Sequence, residues 1–141
     1  MTTPELLTGL YGSLAVTVVC LATAILLAHK RKTNAHIVGI CVFLVTFLIT
    51  IYFAETVGAR CDFEVWPKRI HMVFAFTSSF GTVVPLITGF LHWRGNKVAR
   101  GTHKKISLIW FALVVLALGT GAWMLSASTL KPQFQAATAT K

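Results

Sequence analysis

Four uncharged apolar runs, each long enough as a helix to cross a hydrocarbon layer, constrain this chain more than any other feature. A bilayer core about 30 Å thick takes about 20 helical residues. The runs at about 6–28, 36–57, 70–93 and 105–126 meet that length with no charge in their central parts. In lipid a helix satisfies its own backbone polar groups, whereas a spanning strand needs alternating polarity. Stretches such as GICVFLVTFLITIYF show no alternation. The expected fold is therefore all-α, an integral membrane four-helix domain over residues 1–130 followed by a polar tail at 131–141. Short connections between successive spans predict an up-down-up-down bundle. Composition agrees, since 55% of the 141 residues are apolar and 12% charged, against about a quarter charged in a soluble domain.

The charges that remain are placed unevenly. HKRKTN (29–34) and RGNKVARGTHKK (94–105) are basic and hold no acid, whereas ETVGARCDFEVWPKR (55–69) mixes both signs. Basic loops stay on the cytoplasmic side, so both termini and the middle loop are expected outside. The implied location is the bacterial inner membrane, as a multi-pass protein. The net charge of +9 then reads as topology and contact with anionic lipid. No basic face interleaved with exposed aromatics offers itself to nucleic acid. MTTPELL lacks the basic start of a signal peptide, so the first span is expected to be a retained helix. Cys20, Cys41 and Cys61 form no CxxC or CxxCH, which speaks against an iron–sulfur site or covalently attached haem. Cys61 is expected in a loop, able to pair only with another chain.

Three rows at steps of three and four mark faces expected to look inward. They are His36, Gly39, Phe43, Thr46 and Thr50 in the second span; His71, Ala75, Ser78, Thr82, Pro85, Gly89 and His92 in the third; and His103, Ser107, Trp110, Val114, Ala117, Gly121 and Met124 in the fourth. Small residues serve close packing. A histidine heading each row is not explained by packing, and ionisable groups at a membrane edge point to function. His29 reads as an interfacial residue, and His92 beside Trp93 as an anchor.

A b-type haem in a helical bundle needs two facing imidazoles at one depth and small residues beside them. His36 and His103 open helices of the same direction and are the expected axial pair for a haem iron, with His92 as substitute. Lys32, Arg100, Lys104 and Lys105 are candidates to pair with propionates or lipid phosphates. His71 stands alone on the outer side, near Glu55, Cys61, Met72 and Met124, where a metal-like, proton-handling or quinone-binding role is open. The cofactor is thus haem b, a quinone or none.

The stretches IYFAETVGARCDF, RIHMVFAFTSSFGTVVPLITGFL and THKKISLIWFALVVLALGTGAWML resemble a family of small four-helix bacterial membrane proteins. That family is classed as a domain of unknown function and associated with cytochrome oxidase and haem A maturation. The likeness covers about two-thirds of the chain and rests on His36, His71, Pro85-Leu86, His103 and Thr120-Gly121. Where the family has a further histidine near the end of helix two, this chain has Ala54-Glu55. The last span is also similar to transmembrane b-type cytochromes reduced by ascorbate or quinol, in which a His followed by a basic residue opens a span ending in Thr-Gly.

There is no GxSxG, HExxH or phosphate-cradling glycine loop, and only four acids exist, so hydrolytic and phosphoryl-transfer chemistry are not expected. No inverted repeat is expected either. The leading reading is an electron-transfer subunit of a respiratory or photosynthetic complex, surrounded by lipids and other membrane subunits. An assembly factor for a haem–copper oxidase and a purely structural accessory subunit are the alternatives.

Overall fold

The computed structural model describes residues 3–134, and most of them are helical. The helices are α1 (Thr3–His29), α2 (Thr33–Gly58), α3 (Val65–Gly81), α4 (Val83–Trp93) and α5 (Lys97–Ser126); two three-residue strands, β1 (Cys61–Phe63) and β2 (Ser128–Leu130), form one small sheet. Four helical stretches are long and apolar enough to cross a membrane, at Pro4–His29, Thr33–Gly58, Val65–Trp93 and Val98–Ser126. Their surfaces are apolar as well as their interiors. Val19, Leu48, Phe80 and Leu108 are each more than 60% exposed, an arrangement that water would penalise and lipid would not.

The helices begin earlier than hydropathy alone predicts. The third starts at Val65 instead of about 70, and the last at Lys97 instead of 105. Hydropathy registers where charges begin, whereas the backbone ladder continues through Lys and Arg, which are good helix formers. At the last helix the start is set by Asn96, whose side chain accepts from the N–H groups of Val98 and Ala99. The third span is not one regular helix. Pro85 has no N–H to give to the carbonyl of Gly81; the ladder breaks at Thr82, and the next bond, Leu86 N–H to Thr82 O, is stretched to 3.4 Å.

The chain divides into two compact units, the first made of residues up to Asp62 with the segment from Leu130, the second of Phe63–Thr129. In the first, α1 and α2 pack antiparallel. Gly9 meets the Phe53 ring, Thr17 meets Thr50, and Ala24 meets Gly39. Thr50 sends its own hydroxyl hydrogen to Thr46 O, so Thr17 donates to Thr50 at 3.0 Å between two buried side chains. Cys61 is buried at the start of β1, not displayed in a loop. The beginning of the tail is tied down in this unit, since Lys131 donates from its backbone to Arg60 O and from Nζ to Ala59 O, and Arg60 lies over the Phe134 ring. Residues 135–141, the rest of the expected tail, lie outside the described residues.

The turn from α1 into α2 places Arg31 at φ 56°, with its N–H bonded to Ala28 O and that of Lys32 to Leu27 O. This is the helix-ending pattern that favours glycine, and Gly95 fills the corresponding place after α4 at φ 93°. A left-handed conformation costs an L-residue about 1 kcal/mol. Arg31→Gly is therefore expected to stabilise the first unit by about 0.5–1 kcal/mol, read as a higher midpoint in detergent-mixture unfolding.

Candidate functional site

All three histidine-headed rows turn out to be the inward faces of their helices. None of their members is exposed, and Phe43, Thr50, Ser78, Thr82, Pro85 and Trp110 are buried. The histidines sit inside the helices and not at their first residues, because the helices start earlier than expected.

His36 lies one turn into α2, and its Nδ1 is 2.8 Å from the carbonyl oxygen of Ala24 on α1. A carbonyl can only accept, so Nδ1 carries the hydrogen and, in the neutral ring, the lone pair is on Nε2. His71 on α3 does the same in the second unit. Its Nδ1 donates to Ala117 O at 3.1 Å, with Thr120 Oγ1 at 3.4 Å. His103 on α5 has its Nδ1 3.2 Å from Thr88 Oγ1 and 3.5 Å from Ser107 Oγ. Thr88 gives its own hydrogen to Val84 O and Pro85 O, which leaves its oxygen able to accept from His103, while the Ser107 contact fixes no direction. Pinning one ring nitrogen to an acceptor on the neighbouring helix is how proteins orient a ligating imidazole.

The second unit contains this arrangement twice. In the stretch from α3 into α4, Thr88-Gly89 follow His71 by 17 and 18 positions; in α5, Thr120-Gly121 follow His103 by the same intervals. The two helical stretches run antiparallel, so each histidine lies on the other's Thr-Gly. A Cβ built on Gly121 would stand 3.0 Å from Cε1 and 3.2 Å from Nδ1 of His71. On Gly89 it would stand 3.0 Å and 3.4 Å from the same atoms of His103. Midway, Trp110 Nε1 donates to Ser78 O at 2.9 Å and Thr82 Oγ1 at 3.1 Å. The absence of an inverted repeat expected from the sequence is thus corrected within this unit. Equal His-to-Thr-Gly spacing in the two spans is the signal that reveals it.

His71 and His103 are not brought together. Their stations along α5 are 18 residues apart, a rise of about 27 Å. His92, near the end of α4, is half-buried, with Nδ1 fully enclosed and without a hydrogen-bond partner among the described residues. It lines a cavity of about 450 Å³ with Gly95, Asn96 and Arg100. Its neighbour Trp93 is exposed, as an interfacial anchor would be. His36 belongs to the first unit, and His29 is exposed at the end of α1. Among the described residues no three His, Cys, Asp or Glu side chains gather as metal ligands.

No protein-family model, curated protein or solved structure matches this chain.

Proposed function

We propose that this chain is a multi-pass membrane protein of four spans that serves as a redox-linked subunit binding one haem b, for which His36, His103 and His92 are the candidate ligands. The observation that carries the reading is the common setting of His36 and His103. Each has Nδ1 held within hydrogen-bond distance of an oxygen on the adjacent helix, which orients the ring as second-shell contacts orient a ligating imidazole. Gly89 lets the His103 ring seat against the neighbouring helix, and Gly39 lets α2 approach Ala24, whose carbonyl takes the His36 hydrogen. Haem bound in this way supplies a one-electron iron couple. Lys32, Arg100, Lys104 and Lys105 stand in the same segments as the two histidines and suit carboxylate or phosphate partners. His92 is the substitute ligand.

The two basic loops face the cytoplasm in this reading, with the termini and the segment around β1 outside, in a bacterial inner membrane. Alkaline phosphatase fused after the tail is expected to be active, and the same reporter placed in the 29–34 loop inactive; the reverse pattern would overturn the orientation. A place beside a respiratory complex, among lipids and other membrane subunits, belongs to the same proposal and rests on the resemblance read from the sequence alone. Binding is tested by acid–acetone extraction of the purified protein. Stoichiometric non-covalent haem is expected, lost in His36→Ala and in His103→Ala.

An assembly factor for a haem–copper oxidase remains the second reading, distinguished by loss of oxidase haem on deletion and by absence from the mature complex. A structural accessory subunit is favoured by one observation of its own: His71 and His103 also serve as interhelical hydrogen-bond clamps. That reading predicts iron-free protein.

A further inference from the structure

The haem reading employs His103 but leaves its twofold counterpart unused. From the repeated His–Thr–Gly arrangement we infer that His71 is a second imidazole site, at the opposite end of the same unit, and that it accepts a hydrogen bond from a membrane-soluble hydroquinone.

The argument starts from the ring nitrogens. His71 spends its Nδ1–H on Ala117 O, so the neutral ring presents Nε2 as an acceptor and has no second hydrogen to give. That gives Nε2 an acceptor's role and selects among ligands. An oxidised quinone offers only carbonyl acceptors, which Nε2 cannot serve; the reduced form offers O–H donors, which it can. A metal ion is disfavoured because no cluster of three side-chain ligands forms among the described residues. Gly121 admits the His71 ring against α5, where a Cβ would stand 3.0 Å from Cε1 and 3.2 Å from Nδ1, and Nε2 is the ring nitrogen that the bond to Ala117 O does not use. The span bearing the site is apolar, so the hydroxyl donor it meets is carried by a lipid-soluble molecule. Hydroquinones and the free hydroxyls of lipids share that chemistry. The choice of hydroquinone rests on the redox reading above.

Histidine labelled with ¹⁵N in the full chain, held in lipid nanodiscs, provides the test. The resonance assigned to His71 by its absence from His71→Asn is expected to report an Nδ1–H tautomer. Its Nε2 signal is expected to shift saturably with a short-chain hydroquinone, and to stay in place with the matching quinone or a monoacylglycerol. Asparagine keeps a donor where Nδ1–H stands and removes Nε2, so the helix contact is spared while hydroquinone affinity falls about tenfold, the worth of one hydrogen bond. Equal response to monoacylglycerol would assign the site to lipid hydroxyls and overturn the proposal, as would equal response to quinone, or no response to either. His71→Asn leaves bound haem unchanged, so failure here is distinguishable from failure of the haem reading, which the extraction of His36 and His103 variants decides separately.

Discussion

Trp110→Ala is expected to be the most damaging single change to the second unit, lowering its stability by about 3 kcal/mol. The indole is buried on α5, and its N–H reaches both the Ser78 carbonyl and the Thr82 hydroxyl. Those two acceptors stand just ahead of Pro85, where Ser78 O also takes the Thr82 N–H and hydroxyl, so the indole ties α5 to the turn before the break. Truncation removes the packing of a large ring and leaves a cavity, a loss of about 3–5 kcal/mol in water-soluble cores. In lipid the transfer component is smaller, since helices gain little by hiding apolar surface from other hydrocarbon. That places the expectation at the lower end of the range. Trp110→Phe keeps most of the ring and deletes the donor, so its cost should be about 1 kcal/mol. Unfolding in mixed micelles measures both, and a loss below 1 kcal/mol for the alanine variant would show that the indole is not a keystone.

Gly121→Leu and Gly89→Leu are expected to cost about 1–3 kcal/mol each, the usual cost of overpacking, and to cost nearly the same. A bare Cβ at either position already stands 3.0 Å from an imidazole carbon, so the rest of a leucine must push the ring off its seat. Their equality follows from the twofold arrangement. Their consequences differ: Gly89→Leu displaces His103 and should expel haem, whereas Gly121→Leu displaces His71 and should leave haem in place. Mixed-micelle unfolding read beside haem content separates the two effects. Unequal costs, or haem loss from both, would count against equivalent but separate sites.

Much of this was legible in the sequence because a helix repeats. Rows of small residues at three-and-four spacing identified the buried faces of α2, α3, α4 and α5 without reference to any partner. What could not be read is the register between helices, which decides that His71 meets Gly121 and His36 meets Ala24. That register is set by side-chain fit across a contact, and neither span encodes it alone. The strands were equally out of reach, because three residues such as Cys61–Phe63 are too few to show a period. The early start of α5 had a local signal in Gly95-Asn96, a helix stop followed by an N-cap, which the basic run behind it obscures.

The central claim, that pinned imidazoles hold one haem b, is tested most directly by the reduced-minus-oxidised absorption difference of the full chain purified from membranes. A Soret and α-band difference with one iron per chain, abolished in His36→Ala and His103→Ala and retained in His71→Asn, is the expected result. Iron-free protein with a flat difference spectrum would contradict it and leave the histidines as clamps between helices.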